Sequence, residues 1–300
     1  MPAPIALFAY NRPKHLEKTL AALAQNSLAK QSDLYIFADG AKNNNPQNLE
    51  KIQAVRQILT TQKGFKDCFA QVYYQFQDNN LGLANSIITG VNSILAQYES
   101  VIVLEDDMIC TPDFLSFMND ALVLYHDNPT IFTISGYVFP IKIPENYTKE
   151  VFIFQRPSSW GWATWRECWQ KSDWEVTDYQ YFKLDKNQKK AFNQGGKDLT
   201  PMLCKQMQGE IDSWAIRWAY THFKQGVYCV YPTTSKIQNI GTDKSGAHSP
   251  KTSKYKVVLA KKKYHLSQNI TENQVISSNF RKFFRPSIIR QIINWWRFNV

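Results

Sequence analysis

Three consecutive acids, Glu105-Asp106-Asp107, follow the apolar run Val101-Ile102-Val103-Leu104. Carboxylates crowded at the exit of a buried strand repel one another and resist losing water. A divalent cation removes that cost, and hard oxygen ligands suit Mn²⁺ or Mg²⁺. A metal held by one or two carboxylates completes its shell with water and the phosphates of a substrate. Taken alone, the three acids read equally well as a solvated loop, so the residues elsewhere decide. Arg12, in Asn11-Arg12-Pro13, offers a planar fork that matches phosphate oxygens, or is a surface residue at a helix start. Asp39, in Phe37-Ala38-Asp39-Gly40, could accept from a base N–H or a ribose hydroxyl, although Asp-Gly is also a common turn pair. Asp212, in Ile211-Asp212-Ser213-Trp214, falls in the first turn of a helix. It is either a cap or a general base that takes a proton from an acceptor hydroxyl. His248, alone in a Gly/Ser loop, could meet metal or phosphate, though a lone loop histidine is usually solvated.

The elements that must position these groups follow from periodicity. Strands are expected near 4–10, 33–38, 69–76, 101–105 and 131–135, with helical patterns at about 13–26, 46–61, 82–97 and 112–126. Strand and helix in alternation imply an α/β fold with a mostly parallel central sheet flanked by helices. Ligands of such sheets sit at the carboxyl ends of the strands. Asn11-Arg12, Asp39-Gly40 and Glu105-Asp106-Asp107 all follow strands, so one edge collects the polar groups. Gly82, in Asn80-Leu81-Gly82-Leu83, opens the third helix, where a backbone can approach an anion closely or simply start a helix. Residues 136–250 are less regular. Trp160, Gly161 and Trp162 belong to a tryptophan-rich stretch that could form flat walls for sugar rings, while at least two of the five tryptophans between 160 and 174 are expected to be core. A helix is expected over 211–225 and a strand over 227–231.

Composition bounds the class. An apolar fraction of 44% and a charged fraction of 20% suit a soluble globular chain. The net charge of +10 is localised: residues 251–300 hold eleven Lys or Arg and one acid, and residues 1–250 balance at zero. A basic tail on a neutral body argues for a local partner surface and against nucleic acid as ligand. Five dispersed cysteines signal neither a disulfide frame nor a zinc site, so a reducing cytoplasm is the simplest compartment. No apolar run reaches transmembrane length. Within 281–300, Ile288, Ile289, Ile292, Ile293, Trp295 and Trp296 fall on one helical face, with Arg290, Asn294 and Arg297 opposite. That pattern fits an interfacial helix on anionic lipid, peripheral to the inner face of the cell membrane, or a helix docked on the main domain.

Taken in order, Tyr10-Asn11-Arg12-Pro13, Ala38-Asp39-Gly40, Asn80-Leu81-Gly82-Leu83-Ala84, Glu105-Asp106-Asp107, Ser135-Gly136-Tyr137, Trp160-Gly161-Trp162 and Ile211-Asp212-Ser213-Trp214 resemble the GT-A fold glycosyltransferases. Among these, the series is most similar to the Golgi protein N-acetylglucosaminyltransferases of the complex N-glycan and O-mannose type, with the look of a bacterial relative. The resemblance covers roughly residues 3–250. It implies a catalytic domain over 1–250, with a nucleotide-binding half (1–135) and an acceptor half (136–250), followed by the basic extension 251–300. It further implies a metal-dependent, inverting hexosyl or N-acetylhexosaminyl transfer from a nucleotide sugar, expected to be a UDP-sugar, to a glycan or lipid-linked acceptor in surface polysaccharide or glycolipid synthesis. Asn11, Arg12, Asp39, Gly82, Glu105 and Asp106 would contact the nucleotide. Asp107, with His248, would serve the metal; Trp160, Gly161 and Trp162 would line the sugar site; Asp212 would be the base. The chain has no counterpart to the stem of the Golgi enzymes, and the basic tail matches nothing in the family. Two other classes stay in view: a sugar-nucleotide or carbohydrate-binding protein without transfer, and a nicotinamide enzyme, which the missing GxGxxG after the first strand disfavours.

Overall fold

A computed structural model describes residues 1–42, 46–61, 65–243, 252–259 and 264–298. The first half follows the alternation of its sequence: β1 (Ile5–Ala9), α1 (Pro13–Ala24), β2 (Leu34–Ala38), α2 (Pro46–Thr61), β3 (Val72–Phe76), α3 (Leu83–Leu95), β4 (Ser100–Glu105), β5 (Met108–Cys110), α4 (Phe114–Leu124) and β6 (Ile131–Ser135). The second half adds β7 (Val151–Phe154), β8 (Trp162–Trp165), α5 (Arg166–Trp169), α6 (Tyr179–Phe182), α7 (Lys186–Phe192), α8 (Leu199–Met207), α9 (Trp214–Gln225), β9 (Tyr228–Pro232), β10 (Ile237–Asn239), α10 (Gln274–Phe283) and α11 (Ile288–Phe298).

Eight strands form one sheet in the order β3-β2-β1-β4-β8-β6-β9-β7. The β3-β2-β1-β4 half is parallel throughout, and β6 is parallel to β9. The parallel run is interrupted at β8, which inserts between β4 and β6, antiparallel to both. Its sequence, Trp162-Ala163-Thr164-Trp165, is fully buried, and periodicity alone does not separate such a run from a ligand wall.

Period-2 alternation in β1 sets up two cores. Ile5, Leu7 and Ala9 face one that is closed by α1, α2, α4 and α10. Ala6 and Phe8 face the other, closed by α3, α9 and a cluster of tryptophans. Trp162 stacks on Trp169 and Trp214 at ring-centroid distances of 5.5 and 4.9 Å. The basic extension returns to the body: Tyr137 donates its hydroxyl to the Tyr255 carbonyl, and Phe280 of α10 packs on Phe154 and Tyr231. Among the described residues no helix is long and apolar enough to cross a membrane.

Candidate active site at the carboxyl edge of the parallel strands

Parallel pairing of β1, β2 and β4 brings the residues after Ala9, Ala38 and Leu104 to one edge. Pro13 opens α1 at its first turn, where a missing N–H costs nothing, and this leaves Arg12 at the mouth between β1 and β4. Arg12 does not stand free for a phosphate. Its guanidinium forks onto Asp106 Oδ1 (2.6 Å) and Asp107 Oδ2 (2.8 Å). Asp106 also accepts from the Tyr10 amide at 3.2 Å, and its carbonyl accepts from the Thr19 hydroxyl. Both acids are buried, at 2% and 5% exposure.

Burial opposes the Arg12 charge, but Asp106, Asp107 and Glu105 outweigh it and raise its pKa. Burial, and then the neighbouring Asp107, push the Glu105 carboxyl up to about 8 despite Arg12. Burial likewise raises Asp106, with Arg12 opposing. No hydrogen-bond donor meets the Glu105 side chain among the described residues. The single guanidinium does not balance this cluster, and at neutral pH the raised Glu105 carboxyl holds a proton that a cation would displace. The donor set, all hard oxygen and with more carboxyl groups than cations, fits a divalent cation. Among the described residues no group of three or more His, Cys, Asp or Glu side chains surrounds a common point. Such a cation would therefore rest on one or two of these carboxylates and draw its other oxygens from outside the protein. His248 lies outside the described residues.

The roof of this cluster was invisible in the sequence. β10 pairs antiparallel with β5, setting Asn239 opposite Met108. Asn239 then donates to Asp107 Oδ1 at 3.4 Å, and its own Oδ1 accepts from the Gly241 amide at 2.8 Å. A β-carbon on Gly241 would sit 2.0 Å from Asp107 Oδ2 and 2.5 Å from the Arg12 guanidinium, so any side chain there would force the clamped pair to shift. The signal available was Asn239-Ile240-Gly241 after a short strand, too common to single out.

Asp39 is committed to the backbone. Its carboxylate accepts from the amides of Gly40 (2.8 Å), Leu81 (2.9 Å) and Gly82 (3.2 Å) and from Asn80 Nδ2 (2.9 Å). It builds the loop that starts α3, and little capacity remains for a nucleotide. Asn11 donates to Asn48 at 2.8 Å, and Asn48 donates to the Tyr10 hydroxyl at 2.7 Å, a polar shelf beside the acids. Gly82 has φ +77, and a β-carbon there would lie 3.4 Å from Asp212 Oδ2. Asp39, Gly82 and Asp212 are thus contiguous.

Asp212 is not the cap of its helix. Ser213 caps α9, accepting from the Ile216 amide, and Asp212 stands one residue outside. Its side chain is 55% exposed and touches Arg217 at 3.5 Å. Arg217 in turn donates to the carbonyls of Ser213 and Trp174. Of the two readings of Asp212 the cap is excluded, and what stands there is an acid that the helix does not need.

The three residues expected at the sugar separate. Trp162 is fully buried in the tryptophan stack and presents no face to a ligand. Gly161, at φ +58, packs against the Ile237 side chain. Trp160 is half-buried against Tyr137 and Tyr255.

No family model matches this chain. Solved structures of similar arrangement include S. aureus TarS 1-349 in complex with UDP, at 12% identity over 79% of this chain and 60% of that one, with a TM-score of 0.43. Another is the mannosyltransferase PcManGT from Pyrobaculum calidifontis in complex with GDP-Man and Mn²⁺, at 17% identity over 56% of this chain and 47% of that one, with a TM-score of 0.36. A further structure of S. aureus TarS matches at 15% identity over 58% of this chain and 30% of that one, with a TM-score of 0.38. This chain spans 30% to 60% of the length of these structures.

Proposed function

We propose that the chain is an inverting, nucleotide-sugar-dependent glycosyltransferase. The observation that carries this reading is the pairing, on one sheet edge, of a buried carboxylate cluster short of positive charge with an exposed carboxylate that the fold does not use. The nucleoside diphosphate lies over the strand ends near Asn11 and Asp107, and the donor is a UDP-hexose or UDP-N-acetylhexosamine. Asp107, with Glu105 beside it, would hold Mn²⁺ or Mg²⁺, which supplies charge stabilisation to a departing diphosphate.

The chain's own residues do the rest. Asp212 takes the proton of an acceptor hydroxyl as that oxygen bonds to the anomeric carbon. The bond from that carbon to the diphosphate breaks on the opposite face, and configuration inverts. Gly82, without a side chain, leaves room beside Asp212 for the reacting groups. Arg12 holds Asp106 and Asp107 in place, and Trp160 offers an aromatic edge to a sugar. The acceptor is a glycan or a lipid-linked sugar in surface polysaccharide or glycolipid synthesis, at the cytoplasmic side.

Incubation with a panel of nucleotide sugars, with Mn²⁺ and with chelator, tests this reading. Release of nucleoside diphosphate from one donor, lost with chelator, is the expected result. No thermal stabilisation and no release with any donor would overturn it. The Arg12 clamp favours one second reading, in which the acids are already neutralised and the site binds a nucleotide sugar without transfer. Metal-independent binding with no turnover would be its signature.

A further inference from the structure

Helix α11 is mounted in a way that does not serve packing on its own protein. It buries Asn294 and Phe298 toward α8. Ile288, Ile289, Ile292, Ile293, Trp295 and Trp296 point outward, at 43% to 78% exposure. At 100° per residue the buried side and the outward apolar side lie on nearly opposite faces. A groove of about 500 Å³ on the outward side is lined by Arg285, Ile292, Trp295 and Trp296. Next to it, a second groove of about 580 Å³ is lined by Trp295 and by the exposed Lys186, Lys190 and Lys197. Lys197 donates to Gln291 of α11 at 3.4 Å, which joins the two grooves. Arg290 lies on the other flank of the helix. Residues 281–298 carry five Arg or Lys and no acid.

We propose that α11 and the lysine groove form a docking surface for an anionic phospholipid bilayer. The isoleucines and tryptophans enter the boundary between headgroups and acyl chains. Lys186, Lys190, Lys197, Arg285 and Arg290 meet headgroup phosphates on either side of them. A stripe that is apolar at its centre and cationic on both flanks matches a surface that is apolar below and anionic above. Tryptophan, with its apolar body and one N–H, favours that depth. The contact is monotopic, since no described helix can cross. The far end of α11 is tied to the candidate site: Arg297 pairs with Glu210, two residues before Asp212. Docking therefore fixes the Asp212 loop relative to the lipid surface, a consequence that rests on the transferase reading while the docking itself does not.

Co-sedimentation of the full chain with vesicles tests the surface without any assay of activity. Phosphatidylcholine vesicles are compared with vesicles holding about a third phosphatidylglycerol, at ~0.1 M salt. The protein is expected to pellet with the anionic vesicles at least ~10-fold better than with the neutral ones. The Ile292→Asp/Trp296→Asp variant should lose that binding. Lys186→Gln/Lys190→Gln/Lys197→Gln should weaken it several-fold and flatten its salt dependence. As a check that needs no variant, brominated lipid should quench the tryptophan emission of the wild-type chain on anionic vesicles. Absence of binding to anionic vesicles, absence of quenching, or unchanged binding by a folded Ile292→Asp/Trp296→Asp chain would overturn the proposal. So would a dimer in solution that this variant dissolves, since a second copy would then cover the face.

Discussion

Asp106 and Asp107 are buried and clamped by Arg12, whereas Asp212, reached through Gly82 on the same edge of the sheet, is 55% exposed and meets Arg217 at 3.5 Å. The fold depends on the first group, because a buried carboxylate without a counter-charge is expensive. It does not depend on the second, because Ser213 already caps α9. Carboxylates of the two kinds must therefore fail differently when changed. The clamped pair couples stability to any ligand that binds there, and the exposed acid affects only what happens to a substrate.

The largest effect on stability should come from Arg12→Ala. It strands two buried carboxylates, and losing one partner of a buried ion pair typically costs ~3–5 kcal/mol. Urea unfolding measures it. A loss under ~1 kcal/mol would mean that the acids are solvated and that the contrast with Asp212 is false. Asp212→Asn should leave the urea midpoint nearly unchanged, within ~0.5 kcal/mol, and lower transfer by ~10²–10⁴-fold. If transfer falls by less than tenfold, Asp212 is not the base. Asp107→Ala should abolish metal-dependent nucleotide binding in calorimetry, and unchanged binding with Mn²⁺ would remove the metal from Asp107.

A smaller effect is expected from Gly241→Ala. Its β-carbon would press on Asp107 and Arg12, and forcing atoms into a packed site costs ~1–3 kcal/mol. Nucleotide affinity should fall with it, because the roof and the clamp share atoms. A neutral Gly241→Ala in both unfolding and binding would show that residues 240–243 do not close over the site.

Legibility in the sequence followed the same division. The β3-β2-β1-β4 half could be read because each strand is a short apolar run and each helix keeps its period, so the polar residues after the strands had to meet at one edge. The partners of those residues could not be read. Arg12 reaches across to Asp106 and Asp107, and its own neighbourhood, Asn11-Arg12-Pro13, suggested a phosphate ligand or a surface residue at a helix start, not a clamp. Asn239 and Gly241 arrive through β5–β10 pairing, which leaves no local pattern. In the other half, aromatic residues misled for a related reason. A tryptophan run reads alike whether it lines a sugar site or stacks in a core, and Trp162 proved to be core only because β8 enters the middle of the sheet. The one large apolar surface that could be read, on α11, is the one that stays outside.

Another buried ionisable group, His222 in α9, refines the contrast between clamped and free charge. It is fully buried, shares the Thr133 hydroxyl through Nε2 at 2.8 Å, and has no partner at Nδ1 among the described residues. Trp218 donates to the same hydroxyl at 3.1 Å. Among the described residues no carboxylate compensates a charge here, as Arg12 does for Asp106, and burial lowers the His222 pKa from 6.5 to about 3. The folded state thus refuses a proton that the unfolded chain accepts. The stability that neutral His222 preserves is complete above pH 6.5 and is lost as pH falls from there toward about 3. By pH 5.5 the loss should be about 1 kcal/mol. The raised carboxyls of Glu105 and Asp106 push the other way, favouring the folded state as they take up protons, so the raw pH profile mixes opposite slopes. The difference between wild type and His222→Gln isolates the histidine. It should shrink by about 1 kcal/mol between pH 7.5 and 5.5, with the wild type losing ground. A difference that stays flat over that range would mean that His222 finds water or a carboxylate when protonated, and that burial in the tryptophan core does not hold it neutral.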